Sequence, residues 1–194
     1  LPSLGIILTL AVITAACSGS IDIPAPDVIR YVMSRTGLVE SGIPWQHEAV
    51  LGTLRLPRIF LGILVGATLA VAGASLQAVF RNPLADPGLV GISSGCALAA
   101  AAAVVFGAAV TNEAWLLPCA AFVGGMVSVA AVCLLSRDNG RIDPATMLLA
   151  GIAINALCAT GIGLFTYLGD DLQMRQFLFW TMGSLGGSDW GRII

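Results

Sequence analysis

Long uncharged apolar runs alternate with short polar clusters along most of this chain. At ~1.5 Å rise per residue, a helix needs about 18 or more such residues to cross a ~30 Å hydrocarbon core. Five runs qualify or come close: residues 1–16, 59–80, 89–110, 114–135 and 145–168. A sixth element follows in "GDDLQMRQFLFWTMGS", where Asp170 and Asp171 can open a helix that carries Phe177, Phe179 and Trp180. "GSLGGSDW" then breaks it, and a further span begins near Trp190. The pattern predicts an all-α, polytopic transmembrane helical bundle with about five complete spans and the start of a sixth.

The connections are short except one. Residues 17–58 form a long polar loop holding Asp22, Asp27, Arg30, Arg35, Glu40, His47, Glu48, Arg55 and Arg58. Within it, "APDVIRYVMSRTG" reads as a short amphipathic helix outside the hydrocarbon core, starting at Pro26–Asp27. "RNPLADPG", residues 81–88, reads as a rigid helix–helix turn. Arg81 favours the negative end of the preceding helix dipole. Pro83 and Pro87 stop propagation, and Asp86 can cap the next helix with Pro87 in its first position, before Gly88. Asn82 completes the turn.

The helix faces indicate how the spans pack. Gly62, Gly66, Ala70 and Ala74 recur every four residues in the second run, and Gly91 and Gly95 open the third. Such stripes let backbones approach closely where lipid supplies no hydrophobic drive. The polar residues inside spans are Gln77, Ser93, Ser94, Ser128, Asn155, Thr160 and Thr166. None is ionisable, so this portion holds no proton relay. Asn155 has two readings, an interhelical hydrogen bond or a place on a transport path.

Composition agrees with lipid as the main solvent. The chain is 57% hydrophobic and 10% charged, with a mean hydropathy of +0.92, against roughly 25% charged residues in a soluble domain. A net charge of −2, with nine arginines and no lysine, offers no footprint for nucleic acid. The five cysteines show no CxxC spacing and read as small buried hydrophobes. His47 is the only histidine, so no metal site can be built on histidines. The first 20 residues mimic a signal peptide ending near Cys17, but Thr14 fits a lipoprotein box poorly and the chain stays apolar afterwards, so a membrane helix is expected. Because the chain starts at Leu1 and stops just as a new segment opens, a fragment with both ends missing is expected.

Arginine counts leave the orientation open. The side of the 17–58 loop holds Arg30, Arg35, Arg55, Arg58 and Arg175; the other holds Arg81, Arg137 and Arg141. Counting all of them puts the long loop inside, whereas counting only the shortest connections puts it outside.

Residues 55–95, "RLPRIFLGILVGATLAVAGASLQAVFRNPLADPGLVGISSG", closely resemble permeases of the bacterial ATP-binding-cassette importers for iron–siderophore, haem and cobalamin, the type II importer class. That family shows an RLPR start, an LVGAxLAxAGxxxQ helix and an NPLAxPxxxGxxxG turn, and all occur here in order. "MLLAGIAINAL" and "FWTMGSLGGSDW" match later family segments. The resemblance implies a partial permease domain over residues 1–194, about the first half of a ten-helix bundle in the bacterial inner membrane. It implies a periplasmic 17–58 loop and a cytoplasmic RNPLADPG turn. The implied partners are a second permease copy, two ATPase subunits that bind the ATP, and a periplasmic substrate-binding protein; no cofactor is expected on this chain.

Site residues follow from the same resemblance. Arg55 and Arg58 correspond to arginines that pair with glutamates of the docking protein; without it, both read as helix-end anchors at the headgroups. Gly151, Asn155, Cys158 and Ile162 share the face of the fifth helix that lines the path in relatives. Arg141, Asp143 and Pro144 fall in the cytoplasmic gate region, though this loop departs from the small hydroxyl residues of the cobalamin relative. Similarity to haem-type members makes haem the preferred cargo, with Tyr167, Met174 and Met182 as transient contacts; a ferric siderophore or cobalamin is the alternative. No GxxxxGK[ST] motif occurs, so ATP hydrolysis is expected on a separate chain. An intramembrane enzyme would need His, Asp or Glu inside a span, and none of these runs holds one. A passive channel would need pore-lining polar repeats, which the fifth run lacks.

Overall fold

Residues 2–35, 37, 42–83, 85–107, 113–138 and 141–193 are described by a computed structural model of the chain. The order is α1 (Pro2–Cys17), α2 (Ala25–Arg35), α3 (Trp45–Val50), a π-helical segment (Leu51–Arg55), α4 (Leu56–Phe80), a 3-10 turn (Pro87–Val90), α5 (Ile92–Phe106) and α6 (Glu113–Leu135). A hairpin of strands β1 (Arg137–Asp138) and β2 (Arg141–Ile142) follows, then α7 (Pro144–Leu168), α8 (Asp171–Met182) and α9 (Trp190–Ile193). Among the described residues every regular element apart from that hairpin is a helix.

Two compact units divide the chain, Leu1–Thr68 with Ser184–Ile194, and Leu69–Gly183. In the first, Ala16, Ile23, Val28, Tyr31 and Leu51 form a buried cluster that ties the end of α1 and the start of α2 to the π segment. His47 Nδ1 and Asp27 Oδ2 lie 2.8 Å apart and hold α3 to the first turn of α2. The π turn leaves the helix ladder irregular at Gly52, whose carbonyl accepts from the Trp190 indole at 2.8 Å. No hydropathy pattern announces this turn.

In the second unit, α5 packs against both α6 and α7. At the α5–α6 crossing, a Cβ on Gly124 would run into the Gly95 carbonyl, and one on Gly95 into the Gly124 carbonyl, so the two backbones touch. Two apolar clusters complete this unit: Val90, Val132, Met147 and Ala150 near the start of α7, and Ala100, Ala101, Val104 and Phe177 under α8.

Two boundaries differ from the hydropathy reading. Helix runs unbroken from Trp45 to Phe80 over 36 residues, roughly 54 Å, so the loop expected to last to residue 58 ends near residue 44. Alternating exposure and local hydrogen bonds suffice to keep a helix going beyond the apolar run. Conversely, the third run is interrupted. Gly91 takes a left-handed conformation (φ 82°) between the 3-10 turn and α5, which leaves α5 only 15 residues long; the expected end at Val110 lies outside the described residues. Among the described residues three helices are long and apolar enough to cross a membrane, Trp45–Phe80, Trp115–Leu135 and Pro144–Leu168, while α1 and α5 are apolar but shorter.

Candidate functional site

The RNPLADPG turn begins with an arginine in an unusual conformation. Arg81 has φ 49°, and its N–H donates to the Ala78 carbonyl while the Asn82 N–H donates to that of Gln77. This pair of bonds closes the carboxy end of α4 in a Schellman motif, a place normally taken by glycine. An L-residue held there costs roughly 1–2 kcal/mol. Asp86 then accepts from the Gly88 N–H at 2.7 Å and caps the 3-10 turn, with Pro87 at its first position. The expected cap is thus present, but on an intervening turn rather than on α5 itself.

Asn155 of α7 locks this turn in place. Its Nδ2 donates to the Gly88 carbonyl at 2.9 Å, and its Oδ1 accepts from Ser94 Oγ of α5 at 2.5 Å. One helical turn earlier, Gly151 seats the same turn, because a Cβ there would strike the Leu89 carbonyl and approach Val90 Cα to 3.0 Å. Gly151 and Cys158 are buried, and Ile162 packs against the cluster under α8. On this face, expected on a transport path, Asn155 and Ile162 are half-buried. Large side chains on the opposite side of α7, such as Leu149, Leu157 and Leu164, are exposed.

The gate candidates meet the turn at its other edge. Asp143 caps α7, accepting from Thr146 N at 2.8 Å and Thr146 Oγ1 at 2.7 Å, and Pro144 opens the helix. The Thr146 hydroxyl, then the Thr146 backbone N–H, holds the Asp143 carboxyl below its usual range. The Arg141 side chain lies outside the described residues. A cavity of about 210 Å³ joins the two regions, with Asn82, Asp86, Pro144 and Ala145 among its walls. The cap has a pH signature. A depressed carboxyl stabilises the fold fully above its unfolded pKa, ~3.9, and loses that contribution as pH falls through the lower folded value. Unfolding midpoints of wild type and Asp143→Ala should therefore differ near neutrality and converge under strongly acid conditions; a pH-independent difference rejects the carboxylate cap.

The two arginines of RLPR part company. Arg55 is only 8% exposed; its Nη1 donates to the carbonyls of Ala16 (2.6 Å) and Cys17 (3.0 Å), and its Nη2 to that of Ile21. It is a cap for α1, satisfying carbonyls that a helix end leaves open. Gly19 lies against it, and a Cβ there would lie 2.6 Å from Arg55 Nη2. Arg55, expected at a docking surface, thus directs its donors to carbonyls of this chain. Arg58, one turn on, is exposed at the rim of an open groove of about 880 Å³ walled by α1, α4 and Leu185.

The three candidate haem contacts are also separated. Tyr167 and Met182 are exposed, at 85% and 81%. Met174 is not: it packs on the cluster under α8, with its sulfur facing Gly169. The α8 start was legible, and Asp170 and Gln173 form a reciprocal capping box there. All five cysteines are free, and no group of three or more His, Cys, Asp or Glu side chains that could hold a metal occurs among the described residues.

Comparison with known proteins decides the family. The FecCD transport family matches residues 7–194. The chain belongs to that family. Among FecCD-type relatives, the hemin transport system permease protein HmuU of Yersinia pestis is 46% identical over 143 residues, covering 73% of this chain and 42% of HmuU. The cobalamin import system permease protein BtuC of Halobacterium salinarum is 40% identical over 152 residues, covering 78% of this chain and 40% of that protein. In structure, the chain is similar to an inward-facing metal-chelate type ABC transporter, with a TM-score of 0.76 and 26% identity over 98% of this chain and 55% of the other. The chain thus spans about half the length of these relatives. With its long apolar helices, it is a multi-pass membrane protein.

Proposed function

We propose that the chain is the membrane-spanning permease portion of an ATP-driven importer in the inner membrane, moving haem from a periplasmic binding protein to the cytoplasm. The observation that carries this reading is the FecCD match along residues 7–194. Haem is the first choice of cargo because the hemin permease is 46% identical; the 40% identity with a cobalamin permease supports cobalamin as the second. A second permease copy completes the pathway, paired ATPase subunits bind and hydrolyse ATP, and a binding protein delivers cargo.

Within this reading the residues take distinct roles. Arg58 alone of the RLPR pair serves docking: an exposed guanidinium makes bidentate contacts to a carboxylate of the incoming protein. Gly151, Asn155, Cys158 and Ile162 hold the RNPLADPG turn and the α5–α7 contact rather than line the path. Asp143 and Pro144, beside that turn, belong to the cytoplasmic gate with Arg141. Tyr167 and Met182 are the residues left to touch an iron porphyrin in passage.

The test is co-purification of the permease with its binding protein, followed by cargo uptake in proteoliposomes. Arg58→Glu should weaken docking at least tenfold, ~1.4 kcal/mol, with unfolding unchanged. Undiminished docking removes Arg58 from the interface, and uptake of neither haem nor cobalamin by the assembled wild-type complex rejects the cargo class.

A further inference from the structure

The proline of RLPR removes an amide from the long helix. Pro57 has no N–H, and its ring crowds the carbonyl four residues back, that of Thr53. Directly before it lies the π segment, in which the Leu56 N–H donates to the Leu51 carbonyl, five residues back. This pairing strips Gly52 of its backbone donors. Leu56, its α-helical partner, is taken, and Pro57, its π-helical partner, has no hydrogen to give. The Trp190 indole N–H fills the place at 2.8 Å. The Gly52 residue is half-buried, so an unpaired carbonyl there would carry a desolvation penalty.

Two donors therefore compete for one acceptor. With Trp190 on Gly52, the segment keeps its π register. With Trp190 withdrawn, the Leu56 N–H can return to Gly52 and the ladder becomes α-helical. The two registers differ by one residue, about 100° and ~1.5 Å for everything before the turn relative to α4. Leu51, wholly buried in the cluster at the end of α1, and Arg55, which caps α1, belong to the π segment; exposed Arg58 belongs to α4. The register thus sets the angle between the seat on α1 and Arg58. Trp190 is braced for this task. Its ring centroid lies 6.1 Å from that of Phe60, beyond Pro57. The turn that delivers it is closed by Ser184 Oγ, which accepts from the Gly186 N–H at 2.9 Å, and by Ser188 Oγ, which donates to the Leu185 carbonyl at 2.8 Å.

We propose that Trp190 is a positioning residue: its indole N–H replaces the amide that Pro57 lacks and holds the long helix in the π register, which fixes the direction of Arg58 relative to α1. The consequence for docking rests on the role proposed above for Arg58.

A double-mutant cycle in the intact transporter tests this. Pro57→Ala restores a backbone N–H five residues after Gly52, so Trp190 should matter only while Pro57 is present. Trp190→Phe should lower the thermal midpoint by roughly 2–4 °C, and by less than half as much beside Pro57→Ala. Benzothienylalanine at position 190 keeps both rings and removes only the N–H. It should give the same pattern, which separates the hydrogen bond from lost ring volume and covers a Phe variant that fails to fold. Docking of the binding protein should weaken about threefold or more in Trp190→Phe and recover in the double variant. Equal midpoint losses in both backgrounds would mean that Trp190 merely packs, and would overturn the proposal. Coupled midpoints with docking unmoved would overturn the positioning of Arg58. If Arg58→Glu itself leaves docking intact, the docking role fails, while the midpoint cycle still decides whether Trp190 stands in for the missing amide.

Discussion

Replacing Arg55 with methionine lowers the stability of the chain by about 3 kcal/mol, by the scale of a hydrogen bond from a charged donor (roughly 1.5–3 kcal/mol) and of an acceptor left unpaired. Methionine keeps most of the apolar stem yet removes every donor. The carbonyls of Ala16, Cys17 and Ile21 then lose the guanidinium, Cys17 keeping only the Ile23 N–H, in a place where the guanidinium admits little water. The favourable interaction of a cation with the carboxy end of α1 goes with it. The measurement is the thermal midpoint of the purified permease in detergent, with Arg55→Lys beside it. Lysine restores charge but makes no forked contact, so it should recover part of the loss. A surface docking arginine behaves in the opposite way: stability unchanged, binding protein lost. Reversing both RLPR charges together confounds the two outcomes, which is why Arg58 is tested alone.

Gly151→Val is expected to be the second severe change. A side chain at this position must occupy the space of the Leu89 carbonyl and Val90, so the 3-10 turn has to move off α7. Overpacking of this kind costs typically 1–3 kcal/mol. The shift also pulls Gly88 away from Asn155, adding the loss of a hydrogen bond worth ~0.6 kcal/mol among membrane helices. Asn155→Leu removes only the polar part and should therefore be the milder variant. Thermal midpoints should rank wild type, Asn155→Leu, Gly151→Val in falling order, and cargo uptake should fall with them if the seated turn is part of the gate. A Gly151→Val protein as stable as wild type would show that the turn does not rest on α7.

Much of the helix inventory was readable because its cause is local. Fifteen to twenty-five apolar residues between polar clusters can satisfy their backbone in lipid only as helix, and α4, α6 and α7 follow from that alone. Asp86 and Asp170 announce caps, because a short carboxylate followed within three residues by free N–H groups has one favourable use. Arg55 and Arg58 share a motif and lie on adjoining columns, yet Arg55 closes the π segment and is buried against the end of α1 while Arg58, in α4, is exposed.

By itself, the sequence determined the solvent of this protein, the apolar helices α4, α6 and α7, the proline-bearing turn and the family. Each depends on residues close together in the chain. Only the tertiary structure decided that Arg55 caps a helix 39 residues upstream, that Asn155 clasps a turn 67 residues away, and that Trp190 reaches the π-turn carbonyl of Gly52 across 138 residues. Hydropathy and spacing carry no record of such partners. A buried donor finds its acceptor through the packing of whole helices, and that packing exists only once the chain has folded.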